Sequence, residues 1–238
     1  MSIYIGTPDN ISALVNTPYG GINGSVAPQK VYIGDENNLS REVWGTTIYQ
    51  YVNFIVPYSD GAVIDTGIVP TNTTKIFAEI TIQPGANTNN YIGGSRYGGT
   101  PTSYFTLLLN STKVRYQFGS ATLYDVGTLQ LERKYQIYMN DNHTAYIVDG
   151  SSRTITDTLS GASLSLWLFG VHSGGSTSSL FGNAPRMHQC KIWEGDTLVR
   201  DFHPCYRIVD QVIGMYDRVS RQFFTNAGSS YFIKGPNI

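Results

Sequence analysis

The chain has 238 residues, 41% hydrophobic and only 14% charged, with a net charge of −1. An average domain carries roughly 25% charged residues, so this surface must be kept polar by Ser, Thr, Asn, Gly and Tyr. The near-zero balance excludes the basic footprint of a nucleic-acid or anionic-membrane binder. No apolar run approaches the roughly 20 residues that cross a bilayer. MSIYIGTPDN lacks a basic region followed by an apolar core, so the expectation is a soluble protein made in a cytoplasm. Two cysteines, Cys190 and Cys205, are too few for a disulfide framework and lack metal-site spacing. Cys190 falls inside an alternating stretch and is expected as a buried free thiol.

Residues 1–48 contain an internal repeat. IYIGTPDNISALV, from Ile3, aligns with VYIGDENNLSREV, from Val31, at a constant offset. Tyr4 and Tyr32, Ile5 and Ile33, and Gly6 and Gly34 coincide. Each copy predicts a short strand, a turn and a second strand, that is, a small β-hairpin. An isolated hairpin is marginal in water. This arm is therefore expected to pack on another surface through Tyr4, Ile5, Gly6, Tyr32, Ile33 and Gly34.

Residues 49–238 read as a β-sandwich. Trp44–Val56 and Ala62–Val69 alternate as strands around the turn at Pro57–Gly61. KIFAEITIQ, from Lys75, alternates strictly: Ile76, Ala78, Ile80 and Ile82 on one face, Lys75, Phe77, Glu79 and Thr81 on the other. The Ile/Ala face belongs to an inter-sheet core. Ser103–Leu109 with Lys113–Gly119, and Lys134–Asn140 with Thr144–Gly150, predict hairpins, the second extended by Arg153–Leu159. SLSLWLFGVH, ending at His172, is the most apolar run and predicts a central strand. Trp167 and Trp193 are expected in the core. About a dozen short strands without a helical period mean an antiparallel sandwich.

The C-terminal block is the most structured in pattern. Gln189–Trp193 and Thr197–Phe202 flank the turn Glu194-Gly195-Asp196, and His203-Pro204 should end the second strand. Ile213–Asp217 and Gln222–Asn226 form another hairpin, closed by Gly228, with a helical turn conceivable near Cys205–Asp210. The Arg200/Asp201 and Asp217/Arg218 neighbours are read as hairpin-stabilising.

KIWEGDTLVRDFHPC…IGMYDRVSRQFFTNAG resembles the C-terminal signature of a concanavalin A-like, LamG-type jelly-roll β-sandwich. AVIDTGIVPTNTTKIFAEITIQ, from Ala62, is similar to the opening of the same domain. Such domains are abundant in bacteriophage and prophage structural proteins, and tandem YIG hairpins similar to residues 1–48 precede surface domains in phage appendages. The resemblance implies an all-β, non-enzymatic virion protein, a head or tail appendage or decoration protein on the particle surface. Its partners would be other virion proteins, held through residues 1–48. It also implies a homo-oligomer, and carbohydrate binding by the sandwich.

Fold relatives include β-glucanases, whose chemistry needs two carboxylates flanking the scissile bond, as in an E-x-D-x-x-E strand. No such pattern occurs, and Glu194 and Asp196 flank a turn where both should be solvated. His143, His172, His188 and His203 have no nucleophile motif around them. Calcium, held in some relatives by loop Asp and Asn, has Asp65, Asp125, Asn140, Asp141 and Asp149 as possible ligands, though turns favour these residues for backbone reasons. No other cofactor or metal is implied. A sugar needs aromatic faces beside amide, Arg or carboxylate groups. Tyr91, Arg96, Tyr97, Tyr104, Tyr116, His172 and Asn183, around the Gly-rich loops Gly93–Thr102 and His172–Ser179, are the candidate carbohydrate-binding residues.

Overall fold

The computed structural model describes residues 49–84, 90–97, 100–174 and 184–238, apart from the side chain of Asp141, together with the backbone of 2–4, 14–16, 30–34, 40–44 and 176–178. The chain divides into two compact units, Met1–Ile48 and Tyr49–Ile238. In the first, β1 (Ser2–Tyr4) pairs antiparallel with β2 (Leu14–Asn16). β3 (Lys30–Gly34) pairs likewise with β4 (Ser40–Trp44). Each sequence repeat thus forms one hairpin.

The second unit begins with β5 (Tyr49–Tyr51), β6 (Ile55–Pro57), β7 (Ile64–Asp65) and β8 (Thr74–Thr81), followed by β9 (Asn90–Arg96). A 3-10 turn at Pro101–Ser103 leads into β10 (Phe105–Asn110), β11 (Lys113–Phe118) and β12 (Tyr124–Thr128). Then come β13 (Lys134–Asp141), β14 (Thr144–Ile147), β15 (Ser152–Thr154), β16 (Trp167–Leu168), β17 (Val171–Ser173) and β18 (Ser176–Ser178). β19 (Arg186–Glu194), β20 (Thr197–Arg207), β21 (Ile213–Asp217), β22 (Gln222–Thr225) and β23 (Phe232–Lys234) complete it.

The larger sheet runs β15-β14-β13-β8-β19-β20-β21-β22, with β5 added to β20 and the β6–β23 ribbon to β19. The smaller runs β12-β11-β10-β9-β16-β7, with β17 added in parallel to β9 and β18 paired to β17. Their facing sides make one core. Ile76, Ala78 and Ile80 of β8, as alternation requires, meet Ile137, Cys190, Ile192 and Phe202 on their own sheet and Phe105, Leu107 and Phe118 from the other. The unit is an all-β, jelly-roll-like sandwich. Burying such apolar faces, at roughly 25 cal/mol per Å², drives the two layers together.

Four local expectations are corrected. β20 does not stop at Pro204 but continues to Arg207. Pro204 falls where β19 has left the ladder at Cys190–Phe202 and β5 has yet to join it at Cys205–Tyr51. No donor is asked of its nitrogen there, and its carbonyl accepts from Val52 N–H at 3.0 Å. Cys205–Arg207 is consequently strand rather than a turn of helix. SLSLWLFGVH is not one central strand: Phe169, at φ +63°, breaks it into β16 and β17, beside the edge strand β7. β12 had no counterpart in the pattern reading.

The final hairpin is organised by Asp217, which is fully buried. It accepts from Asp201 N–H (2.7 Å), Val219 N–H (3.1 Å), Ser220 N–H (3.2 Å) and Ser220 Oγ (2.6 Å). Arg200 Nε lies 3.6 Å away, so the cation that stabilises the hairpin faces Asp217 rather than its neighbour Asp201. At Gly228 a Cβ would stand 1.9 Å from the Gly61 carbonyl, so only glycine lets the two end loops touch.

Candidate functional site

The larger sheet carries the described cluster with the richest convergent chemistry. Because β8 sends its Ile and Ala inward, Phe77 and Glu79 point out. Register then repeats that outward set across the sheet. Tyr138 and Lys191 lie opposite Phe77, and Tyr146 lies opposite Tyr138. Gln136 and Gln189 lie opposite Glu79. His203 follows Gln189 in this second row, its Nε2 3.1 Å from Gln189 Nε2, and Tyr216 lies opposite His203. The outer face thus holds one mainly aromatic row and one row of amides, carboxylate, imidazole and phenol.

The aromatic row is packed ring against ring. Tyr138 stacks on Tyr146 at 4.9 Å and 17°, and Phe77 sits 5.0 Å from Tyr138. Trp193, expected in the core, stands half-buried on this outer face 6.4 Å from Tyr138, with Lys75 5.2 Å above it.

The polar row opens into a groove of about 330 Å³. One wall is Glu79, which accepts from Lys134 Nζ (2.9 Å) and Gln136 Nε2 (2.9 Å). Burial pushes its carboxyl up, but those two donors outweigh it and leave it below the usual carboxylate range. On the floor, Gln189 Nε2 donates to Asp201 Oδ1 (2.9 Å), which also lies 3.0 Å from His203 Nε2. Burial, reinforced by Arg218 and Lys191, outweighs Asp201 and holds His203 below the ordinary imidazole value, in the neutral form at neutral pH. His188 is shifted the same way, chiefly by burial, and is fixed by Asn53 O at 2.7 Å and Thr81 Oγ1 at 2.9 Å. Tyr51 forms the far wall, edge-on to His203 at 6.2 Å and covered by the Arg218 guanidinium at 5.5 Å.

The sequence-predicted residues lie elsewhere, around the smaller sheet. Three of them meet: the Arg96 guanidinium lies 5.8 Å over the Tyr104 ring and bonds Ser173 Oγ at 3.4 Å. Tyr91, 8% exposed and packed with Leu108 and Val171, has its phenol pushed up mainly by burial, with Arg96 and Tyr104 close enough to act on it. Tyr97 is nearby and open, its N–H bonded to Ser103 Oγ at 2.8 Å. His172 stacks on Trp167 at 4.1 Å and 13°, which takes one face of its ring. Trp167 is therefore half-buried on an outer face, not in the core. Tyr116 belongs to the inter-sheet core at 1% exposure, its hydroxyl spent on Arg153 O, so it has no ring face to present. Asn183, Ile5 and Gly6 lie outside the described residues, as do the side chains of Tyr4, Tyr32 and Ile33.

Several of the remaining candidate groups bond within the fold. Glu194 is half-buried rather than freely solvated, accepting from Thr71 Oγ1 (2.8 Å) and Thr74 Oγ1 (2.5 Å). Asp65 accepts from Gly67 N–H, Asp125 bonds Arg115 at 2.7 Å, and Asn140 donates to Asn72 O and Thr74 O. Asp149 turns the chain at φ +58°, and Asp141 closes β13. Among the described residues, no three His, Cys, Asp or Glu gather as metal ligands. Cys190 and Cys205 are both free and buried. Burial pushes both thiols up, that of Cys205 to about 12.

Two facing antiparallel sheets and this connectivity define the class, a jelly-roll-like β-sandwich of concanavalin-like architecture. No family model matches the sequence, and no curated protein matches it. Solved structures match at low identity. A candidate carbohydrate binding protein from Bacteroides ovatus is 12% identical at TM-score 0.51, with 82% of this chain and 62% of that one covered. A NanB sialidase from Streptococcus pneumoniae is 12% identical at TM-score 0.45, covering 61% of this chain and 26% of its own. A heptameric SAP-like pentraxin from Limulus polyphemus is 8% identical at TM-score 0.47, covering 79% and 94%. The chain therefore spans about a quarter of the sialidase and under two thirds of the Bacteroides protein. These likenesses bear on the fold alone.

Proposed function

We propose that the Tyr49–Ile238 unit binds carbohydrate, and that the ligand lies in the groove on the outer face of the larger sheet. The observation that carries this is the convergence of Tyr51, Glu79, Lys134, Gln189 and His203 on one cavity of sugar-binding dimensions. Amide, carboxylate, ammonium and imidazole groups there can pair ring hydroxyls, beside an aromatic wall. All stand on strands, so the site is preorganised and little ordering cost accompanies binding. A fold neighbour named for carbohydrate binding supports the same reading.

Binding rather than cleavage is favoured by the state of the carboxylates. A glycosidase needs one carboxyl with a raised pKa to protonate the leaving oxygen. Glu79 is held below its ordinary value by two donors, and Asp201 is engaged by Gln189 and His203.

By the resemblance of its end blocks and its YIG repeats, the protein would be displayed on a bacteriophage particle. Residues 1–48 would dock it to a head or tail protein, and several copies would act together through multivalency. Glycan-array binding by the full chain, compared with Tyr51→Ala and Gln189→Ala proteins of unchanged circular dichroism, tests the site. We expect each substitution to weaken binding about tenfold or more, which is about 1.4 kcal/mol. Binding that both variants retain would sink the groove, and release of reducing ends from the bound glycan would replace binding by hydrolysis.

A further inference from the structure

We infer that the groove takes an anionic glycan, a sugar chain bearing carboxylate or sulfate groups. This inference rests on the groove reading above and adds the ligand's chemical class. Its basis is which groups lining the groove are already spent. Glu79, in the lining, and Asp201, beside Gln189 and His203, are each satisfied by protein donors. Two cations line the groove, Lys134 and Arg218, while Arg186 and Lys191 lie outside the lining and act on His188 and His203. Arg186 is drawn off by Glu132 at 3.3 Å, and Lys134 spends one of its three protons on Glu79.

Arg218 is different. It is exposed, and its guanidinium carbon lies over Tyr51, 5.5 Å from the ring centroid. Among the described residues that guanidinium makes no hydrogen bond to the protein. Five donors on a planar fork, held in place by an aromatic ring, match the two oxygens of a carboxylate or the oxygens of a sulfate. The groove thus offers one uncommitted fork of donors beside carboxylates that are already satisfied. A cation placed in this way draws an anionic group to its own position on the ligand.

The geometry gives the parts distinct roles. Gln189 Oε1 and the outward edge of His203 would meet sugar hydroxyls, Arg218 would take the anion, and Lys134 would take a second anion further along a chain that crosses the strands. Register puts Lys134 on β13 and Arg218 just beyond β21, so the ligand spans several strands and is an oligomer rather than a single sugar.

The test is an array carrying carboxylate-bearing, sulfated and neutral oligosaccharides, read with the full chain, followed by titration of hexagalacturonate and its methyl ester. We expect signal concentrated on the charged glycans, and at least about tenfold weaker binding of the ester. Arg218→Gln should erase the preference for the acid over the ester, and Arg218→Lys should keep part of it. Higher salt should weaken the acid and leave the ester unchanged. Preference for sulfated over carboxylated oligomers would retain the anionic class and fix its source. Equal affinity for acid and ester, or signal on neutral glycans alone, would overturn the inference while leaving carbohydrate binding intact. Silence on every glycan would overturn both.

Discussion

Replacing Asp217 by alanine should be among the most damaging single changes on the C-terminal hairpins. Its carboxylate is fully buried, accepts four hydrogen bonds and faces Arg200 at 3.6 Å. The N–H groups of Val219 and Ser220 lie at a turn where water can reach them, so their loss is partly made good. That of Asp201 is less accessible, and Arg200, whose side chain is 20% exposed, would keep its charge with no counter-ion. Removing one partner of a buried pair costs about 3–5 kcal/mol. The rehydratable turn argues for the low end, about 3 kcal/mol. At roughly 2–4 °C per kcal/mol for a domain of this size, the melting temperature should fall by roughly 6–12 °C. Asp217→Asn keeps one acceptor oxygen in place and should lose about half as much. Urea unfolding at pH 7 of the wild type, Asp217→Ala, Arg200→Met and the double variant measures this. The pair should couple by more than about 1 kcal/mol. A loss below about 1 kcal/mol for the alanine variant, or strict additivity, would refute the role given to this carboxylate.

Stability should decline as the solution is acidified from pH 7.5 to 5.5. His188 and His203 have folded values below their ordinary 6.5, so near and below that pH the unfolded chain binds more protons than the folded one. The stabilisation is complete above the unfolded value and is lost as pH falls from it through the lower folded values. Glu79, lowered from 4.5, adds a further loss under more acidic conditions. Melting temperatures of the wild type against a His188→Gln/His203→Gln protein check this: the double variant should show a flatter profile, and a wild type more stable at pH 5.5 would contradict the assignment. The thiols of Cys190 and Cys205 should react with a disulfide reagent only at the rate of unfolding, because both are buried and pushed towards the thiol form. Rapid labelling in native buffer would show that the β19–β20 ladder opens locally.

What was legible in the sequence was the alternation; what was not was the register. KIFAEITIQ states unaided that Ile76, Ala78 and Ile80 face inward and Phe77 and Glu79 outward, and the structure agrees, although Phe77 is itself covered on the outer face by Tyr138. Short turn-bounded pairs such as Phe105–Asn110 with Lys113–Phe118 were equally readable, because so few linking residues permit only an antiparallel return. The groove, by contrast, joins Glu79 of β8 to Gln189 and His203 on a hairpin more than a hundred residues further along the chain. No local pattern says that these positions share a row.

A one-residue difference in that row would dismantle the site, since a strand's side chains change face with every residue. The bulge between Met187 and Gln189, where β19 shifts its pairing against β8, sets the difference here. It keeps Met187 and Cys190 both on the core side although they are three residues apart, and turns His188 out to line the groove beside Gln189. Uninterrupted alternation back from Cys190 would have put His188 in the core and Met187 on the outer face. The bulge is therefore what allows one strand to serve a tightly packed core along its length and still place an imidazole in the groove. Bulges next to functional sites re-aim side chains in this way, and here the re-aimed residues are Met187, turned into the core, and His188, turned into the groove beside Gln189.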